Sequence, residues 1–238
     1  MKYMGSKNRI AKYILPIMLE AAAEKGINNW LEPFIGGANM IDKVPDTFKK
    51  LGIDSNPHTI AALIAIRDLA ENLPDDVSEA YYKSLYGTPP DPITSLIRFG
   101  ASFGGKFENG YARGLSSDES PRNYWRETVR NAKKQSPNLQ NVKFINGNYD
   151  EFEFENCLIY CDPPYFQTTS YKTDAFNHSK FWGWCRLMSN KNVVFISEYV
   201  APDDFECVWE GEVKTNFASQ RTKPTHTATE KLFKYYPF

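Results

Sequence analysis

The sequence predicts an α/β protein built on a doubly wound, mostly parallel sheet, and three observations predict it. Residues 158–161, Leu-Ile-Tyr-Cys, form a short apolar run that stops at Asp162, Pro163, Pro164 and Tyr165. Such a run suits a buried strand, and the double proline ends it, because proline donates no ladder hydrogen bond and drives its predecessor out of the helical region. Two strand-like segments near the start, 30–34 and 48–53, each lead through a turn into a helical pattern, a β-turn-α-β-α unit that implies parallel strands. A β-branched run at 192–197 follows another helical segment.

Taken in order, Ser6 is placed to cap a helix from about Lys7 that carries Ile10, Ala11, Ile14, Leu15, Met18, Leu19 and Ala22 at helical spacing. Pro16 falls inside that stripe and predicts a kink or break near Tyr13–Leu15. The strand at 30–34 enters Ile35, Gly36, Gly37 and Ala38, where glycines allow a tight turn. The next strand ends at Asp54, and Asn56 and Pro57 open a helix bearing Ile60, Leu63, Ile64 and Ile66.

From 74 the chain becomes rich in turn formers. A helix at 93–99, a glycine-rich block at 100–114 and a basic helix at 123–134 make 74–142 a small inserted region between 1–73 and 143–238. Strand character resumes at Lys143–Ile145. A polar loop at 167–179 precedes a helix at 180–188, and alternation at 207–213 and 232–235 predicts an antiparallel pair at the sheet edge.

A chain of 238 residues is long enough to bury a sizeable core. Its apolar runs are far below membrane-spanning length and its first residues lack a signal-peptide core, so a cytoplasmic protein is expected, or one made inside a cell by a resident genome or a phage. Cys157, Cys161, Cys185 and Cys207 lack metal-site spacing, as do His58, His178 and His226, and no metal is expected. A net charge of −1 argues against a uniformly basic coat but leaves room for a local basic face.

Three constellations carry chemistry. In Glu32-Pro33-Phe34-Ile35-Gly36-Gly37-Ala38, glycines let backbone approach a ligand, and Asp54, about 20 residues past Phe34, stands where an acid accepts ribose hydroxyls. The Gly-x-Gly-x-x-Gly phosphate cradle is absent, so a nucleoside-type ligand walled by Phe34 fits better than a dinucleotide. Lys2-Tyr3-Met4-Gly5-Ser6-Lys7 precedes the first helix, and helix-start amides reinforced by Lys7 would suit an anion. At Asp162–Tyr165, the carboxylate and the Pro163 carbonyl can accept the hydrogens of an exocyclic amine and free its lone pair, while the Tyr165 ring stacks on the base.

With these residues in view, the chain resembles the DNA N6-adenine methyltransferases of the Dam type, in the α class. The likeness runs through residues 2–7, 32–40, 52–56, 146–149, 158–165 and 197–199. The segments Ser102-Phe103-Gly104-Gly105-Lys106 and Gly110-Tyr111-Ala112-Arg113 look like compact phage and prophage members.

The resemblance implies a Rossmann-like methyltransferase fold, S-adenosyl-L-methionine as cofactor, and transfer of its methyl group to the N6 amine of an adenine flipped from double-stranded DNA. It places Asp162, Pro163, Pro164 and Tyr165 at the catalytic step, with Asp162 also facing the cofactor. Tyr3 and Lys7 would hold the methionine end, Glu32, Pro33, Phe34 and Gly36 the body, Asp54 the ribose, and Asn148 and Tyr149 the adenine. An acid often stands where Asn148 is, and Ala38 replaces the last glycine of the usual Phe-x-Gly-x-Gly pattern.

The inserted region would recognise the target and bind DNA, with Lys106, Tyr111, Arg113, Arg122 and Arg126 as contacts, Arg130 nearby, and Phe103, Phe107 and Tyr111 at a hairpin tip. Asn177, His178 and Ser179 would sit in a loop closing on the flipped base. GATC is the target suggested by resemblance, and a companion restriction endonuclease is a partner such enzymes can have. Two alternatives stay open: N4-cytosine methylation, more often marked by Ser-Pro-Pro-Tyr, and a catalytically silent DNA-binding protein that keeps the fold.

Overall fold

In the computed structural model of the chain, residues 1–116, 119–165, 176–215 and 226–237 are described. Seven strands form one sheet in the order β3-β2-β1-β4-β5-β7-β6. They are β1 (Asn29–Glu32), β2 (Lys49–Asp54), β3 (Val142–Asn146), β4 (Leu158–Cys161), β5 (Val193–Glu198), β6 (Phe205–Thr215) and β7 (His226–Tyr235). β1 to β5 are mutually parallel, whereas β7 runs antiparallel between β5 and β6. This is a mixed α/β sheet consistent with a Rossmann-like methyltransferase fold. Strand order reverses between β1 and β4, and the crevice beyond their C-terminal ends is where such sheets bind ligands.

β4 and β5 read as continuous apolar runs because both their faces are covered. Leu158, Tyr160 and Phe195 face one cluster, and Ile159, Cys161, Val194 and Ile196 face the other. The first cluster is closed by α1 (Ala11–Glu24), α2 (Pro57–Leu69), α4 (Pro92–Gly100) and α5 (Tyr124–Leu139), the second by α6 (His178–Ser189). A short α3 (Glu79–Ser84) lies before α4 and contributes Tyr82 to the first cluster. Residues 74–142 therefore share their core with the sheet: Leu96, Ile97, Trp125 and Leu139 belong to the same cluster as Ile14 and Trp30.

The helix starts follow from their caps. Asn56, Asp91, Asn123 and Asn177 each accept a backbone N–H of the first turn of α2, α4, α5 and α6. Asn177 is therefore a cap, and His178 and Ser179 form the first turn of α6 rather than the expected loop. Residues 166–175, which hold most of that loop, lie outside the described residues.

Two expectations at the amino end are corrected. Lys7–Arg9 form a single 3₁₀ turn, with Ser6 Oγ accepting from Asn8 N, and the α-helix begins only at Ala11. The amide cluster expected at Lys7 is thus one short turn already capped by Ser6. No break occurs at Tyr13–Leu15, for α1 runs through Pro16 to Glu24. Starting at Ala11 puts Pro16 early in the helix, where the one bond it forfeits is to the carbonyl of Lys12 on the exposed first turn.

Arg98 ties the glycine-rich segment to the body. Its buried guanidinium donates to Glu108 Oε1 (Nε, 2.8 Å) and the Thr88 carbonyl (2.8 Å) and lies over the Phe107 ring at 4.3 Å. Phe107 packs on His58 and Phe99 with centroids 4.6 and 4.9 Å away, and the Tyr111 hydroxyl donates to the Val77 carbonyl at 2.7 Å. A bridge between Ser102 and Tyr111 closes the hairpin. Phe103 remains 49% exposed at its tip, so of the three predicted tip rings Phe103 faces water while Phe107 and Tyr111 are held in part by the body.

Candidate active site

β4 delivers Asp162 to the reversal point of the sheet, beside the turn that follows β1. Asp162 Oδ1 lies 3.0 Å from the Lys7 ammonium, whose side chain is 7% exposed against 23% for Asp162. Lys7 also donates to the Gly5 carbonyl at 2.9 Å, lies 3.8 Å from Glu230 Oε2, and sits over the Tyr165 ring at 4.4 Å. Its charge is directed at the Asp-Pro-Pro-Tyr segment rather than at a helix start.

Tyr165 is fixed from three sides. Its hydroxyl donates to Glu230 Oε2 at 2.8 Å, its ring meets Tyr199 edge-on at 4.7 Å and 87°, and Lys7 covers one face. Behind it, the Tyr160 and Ser197 hydroxyls share a buried hydrogen bond of 2.8 Å. Tyr199 N donates to Glu198 Oε1 at 2.7 Å.

The electrostatics follow from two carboxylates sharing one ammonium. Burial pushes the Asp162 carboxyl up; Lys7 opposes this, Glu230 adds to it, and it stays above the usual carboxylate range. Burial pulls the Lys7 ammonium down, but Asp162 and Glu230 outweigh it and leave it above an ordinary lysine. Burial first, then neighbouring Asp162, drives the Tyr160 and Tyr165 phenols well above their usual values, so both remain protonated.

The turn after β1 and the end of β2 make the adjoining half of the site. Asp54 accepts from Gly36 N (Oδ2, 3.0 Å) and Asn56 N (Oδ1, 2.9 Å), and burial raises it to about 6 against those two bonds. Glu32 is buried and accepts from Trp30 Nε1 at 2.9 Å; burial raises its carboxyl well above the usual range. Pro33 is buried, and Phe34 packs at 5.2 Å on Tyr149 and at 5.6 Å on Phe181.

Gly36 has φ +47, and a Cβ there would stand 3.0 Å from the Tyr3 ring, so Tyr3 lies against this turn. Ala38 takes φ 55, left-handed backbone that glycine adopts without cost. Gly147 N donates to the Asp54 carbonyl at 3.1 Å, which brings Asn148 and Tyr149 beside Asp54, with exposed Asn148 donating to Glu151 at 2.8 Å.

The structure thus gathers Tyr3, Glu32, Pro33, Phe34, Gly36, Asp54, Asn148 and Tyr149 along the ends of β1, β2 and β3, and Lys7 and Asp162–Tyr165 beyond β4. Sequence reasoning missed Glu230 and Tyr160. Glu230 lies 65 positions from Tyr165 in a polar stretch of β7, and only the antiparallel insertion of β7 next to β5 brings it near.

A separate groove of about 470 Å³ is lined by Tyr111, Arg113, Arg122, Arg126 and Tyr124 among others. Four of the five expected DNA contacts meet there, and half-buried Lys106 is not among its lining residues. Arg113 pairs with Glu79, and Arg122 pairs with Glu127 while lying over the Tyr124 ring at 4.6 Å. Among the described residues no cluster of His, Cys, Asp or Glu is placed to hold a metal ion, and no helix is long and apolar enough to cross a membrane.

Fold and site together define a Rossmann-like α/β protein with a proline-locked carboxylate at the reversal point of its sheet. Residues 120–182, from the approach to α5 through Asp162–Tyr165 into α6, match the family model of D12 class N6 adenine-specific DNA methyltransferase. The chain is also similar to Type II methyltransferase M.FokI of Planomicrobium okeanokoites, 23% identical over 223 residues, covering 80% of this chain and 32% of that relative. It therefore spans about a third of that relative's length. The first likeness is to an adenine-specific DNA methyltransferase family over about a quarter of the chain, and the second is to a type II methyltransferase.

Proposed function

We propose that the chain is a Dam-type, S-adenosylmethionine-dependent methyltransferase acting on the N6 amine of an adenine flipped out of duplex DNA. The observation that carries this reading is Asp162, locked by two prolines at the end of β4 and oriented by Lys7 at 3.0 Å, next to the Asp54 side of the site.

The residues present fit a nucleoside-type methyl donor. Each Asp54 oxygen accepts one backbone N–H and keeps a second lone pair for a ribose hydroxyl. Phe34 and Tyr149 supply an aromatic wall of the kind a nucleobase packs on. Tyr3, Glu32, Pro33, Gly36 and Asn148 complete the cradle, and the bound cofactor supplies an electrophilic methyl group.

The chain's own residues prepare the acceptor. An exocyclic amine is a weak nucleophile because its lone pair is delocalised into the ring. With its two hydrogens donated to the Asp162 carboxylate and the Pro163 carbonyl, the nitrogen pyramidalises and its lone pair points outward. Lys7 and Glu230 hold Asp162 and Tyr165 in place, and the base stacks on the Tyr165 ring. As the nitrogen bonds the methyl carbon, the donor's S–CH3 bond would break and its sulfur leave as the neutral thioether of S-adenosylhomocysteine, and the nitrogen then releases its surplus proton to water or Asp162. The gain is positioning and preorganised electrostatics, and no strong base is required.

The groove carrying Arg113, Arg122 and Arg126, with Lys106 and Phe103 on the neighbouring hairpin, is assigned to duplex DNA. Incubation with labelled S-adenosylmethionine and duplex oligonucleotides, followed by nucleoside analysis, tests the reading. Labelled N6-methyladenine is expected. Labelled N4-methylcytosine would replace adenine by cytosine, and DNA binding without label would leave a silent module.

A further inference from the structure

A second groove, of about 480 Å³, opens between the start of α1 and the edge strand β6 and is lined by Arg9, Lys12, Tyr13, Trp209, Gly211 and Glu212. Tyr13 is 52% exposed and stacks on Trp209 at 15° with centroids 6.1 Å apart. The Lys12 ammonium lies 4.6 Å over the Tyr13 ring, and both Arg9 and Lys12 are exposed.

The backbone is shaped for this ring pair. Cys207 pairs with Phe233 but Trp209 with Leu232, so a bulge inserts one residue between them. Regular pairing would set Trp209 opposite Lys231 on the other face; the bulge turns it onto the face that carries α1. Gly211 completes the arrangement, since a Cβ there would lie 2.5 Å from the indole.

The groove also adjoins the candidate active site. Gly211 pairs directly with Glu230, which accepts from Tyr165, and the 3₁₀ turn that ends at Arg9 begins at Lys7, the partner of Asp162. Among the lining residues Arg9 and Lys12 stand beside the carboxylate of Glu212 and next to rings that offer an apolar surface, a combination that suits a phosphodiester chain with its sugars and bases.

We propose that this groove is a second DNA-contact surface, holding the strand next to the base that occupies the Asp162 pocket. Arg9 and Lys12 face its phosphates, and Tyr13 with Trp209 packs on its sugars or an unstacked base. This rests on the DNA methyltransferase reading above. It also separates the load: the groove at Arg113 and Arg122 grips the duplex, whereas this one steadies the strand from which the base has been extruded.

Fluorescence anisotropy of a labelled duplex, titrated with the full chain over a series of salt concentrations, tests it. Arg9→Ala/Lys12→Ala should weaken binding and reduce the slope of log affinity against log salt by about two, and Lys12→Gln alone by about one. Tyr13→Ala should weaken binding several-fold with the slope unchanged. Affinity for S-adenosylmethionine should stay at the wild-type value in all three, which reports that the fold is intact. Wild-type slope and affinity in the double variant and in Lys12→Gln would overturn the groove alone. Failure of the wild-type chain to bind duplex at low salt would overturn the DNA reading together with it.

Discussion

Asp54 shows how one buried carboxylate sets a pH window. Its folded value of about 6 against 3.8 for a free aspartate means the folded chain holds the proton more tightly than the unfolded one. Stability from this group is therefore fully present below about pH 4 and is lost as pH rises through 6. In the proposed role of Asp54 a ribose hydroxyl prefers the ionised carboxylate as acceptor, so affinity for S-adenosylmethionine should move the other way, strongest above pH 6 and weakening toward pH 5. Calorimetric titration with S-adenosylmethionine at pH 5 and 7.5 checks this. Asp54→Asn should bind more weakly and with a flatter pH profile, and an unaltered profile in the variant would remove Asp54 from the ribose site.

Lys7 and Asp162 give two further residue-scale expectations. Lys7→Met leaves the half-buried Asp162 carboxylate facing Glu230 without its cation, so the variant should lose up to about 3 kcal/mol at pH 7. Adding Asp162→Asn removes the orphaned charge and should restore part of that loss in urea unfolding, giving a coupling energy a double-mutant cycle can read. For activity, Asp162→Ala should lower turnover on the order of 100-fold or more while cofactor binding stays measurable. Near-normal methylation by that variant would refute the assignment of Asp162.

Among the elements, β1, β2, β4 and α2 were legible because their signals are local: apolar runs cut by proline or glycine, and Asn-Pro at a helix start. What was misread at the amino end depends on competition between neighbours. Ser6 looks like a helix cap, yet it closes only one 3₁₀ turn, and the helix that follows absorbs Pro16 near its start. Packing tolerances between elements are likewise invisible in sequence. Gly52 in β2 is such a case: a Cβ there would lie 2.0 Å from Ile35 Cδ1, in the turn whose Ile35 N donates to the Ile53 carbonyl at 2.9 Å. Gly52→Ala should cost about 1–3 kcal/mol by overpacking, and Ile35→Val, which removes the blocking methyl, should recover much of it. A denaturant midpoint unmoved by the single variant would show that the turn yields easily.

At the scale of the whole molecule, Glu230 escaped sequence reading because its place depends on the chain passing out to β6 and returning as β7 between β6 and β5. The same long-range closure bears on how the chain unfolds. Trp125 of α5 and Trp30 of β1 lie in one cluster with Leu96 of α4 and Ile14 of α1, so residues 74–142 have no separate core to fall back on. Hydrogen bonds cross the same boundary: Gln135 Nε2 donates to the Gly37 and Ala38 carbonyls at 3.1 and 3.0 Å, and Arg67 donates to the Val142 carbonyl at 2.9 Å. Melting α5 would expose the underside of the turn that carries Gly36 and the flank of α2, so the inserted region and the sheet should unfold together. Tryptophan fluorescence and far-ultraviolet circular dichroism should then give coincident urea transitions, displaced together to higher denaturant by saturating S-adenosylmethionine. Two separated transitions, with only the later one moved by the cofactor, would mean that residues 74–142 form an independent unit that merely rests on the catalytic sheet.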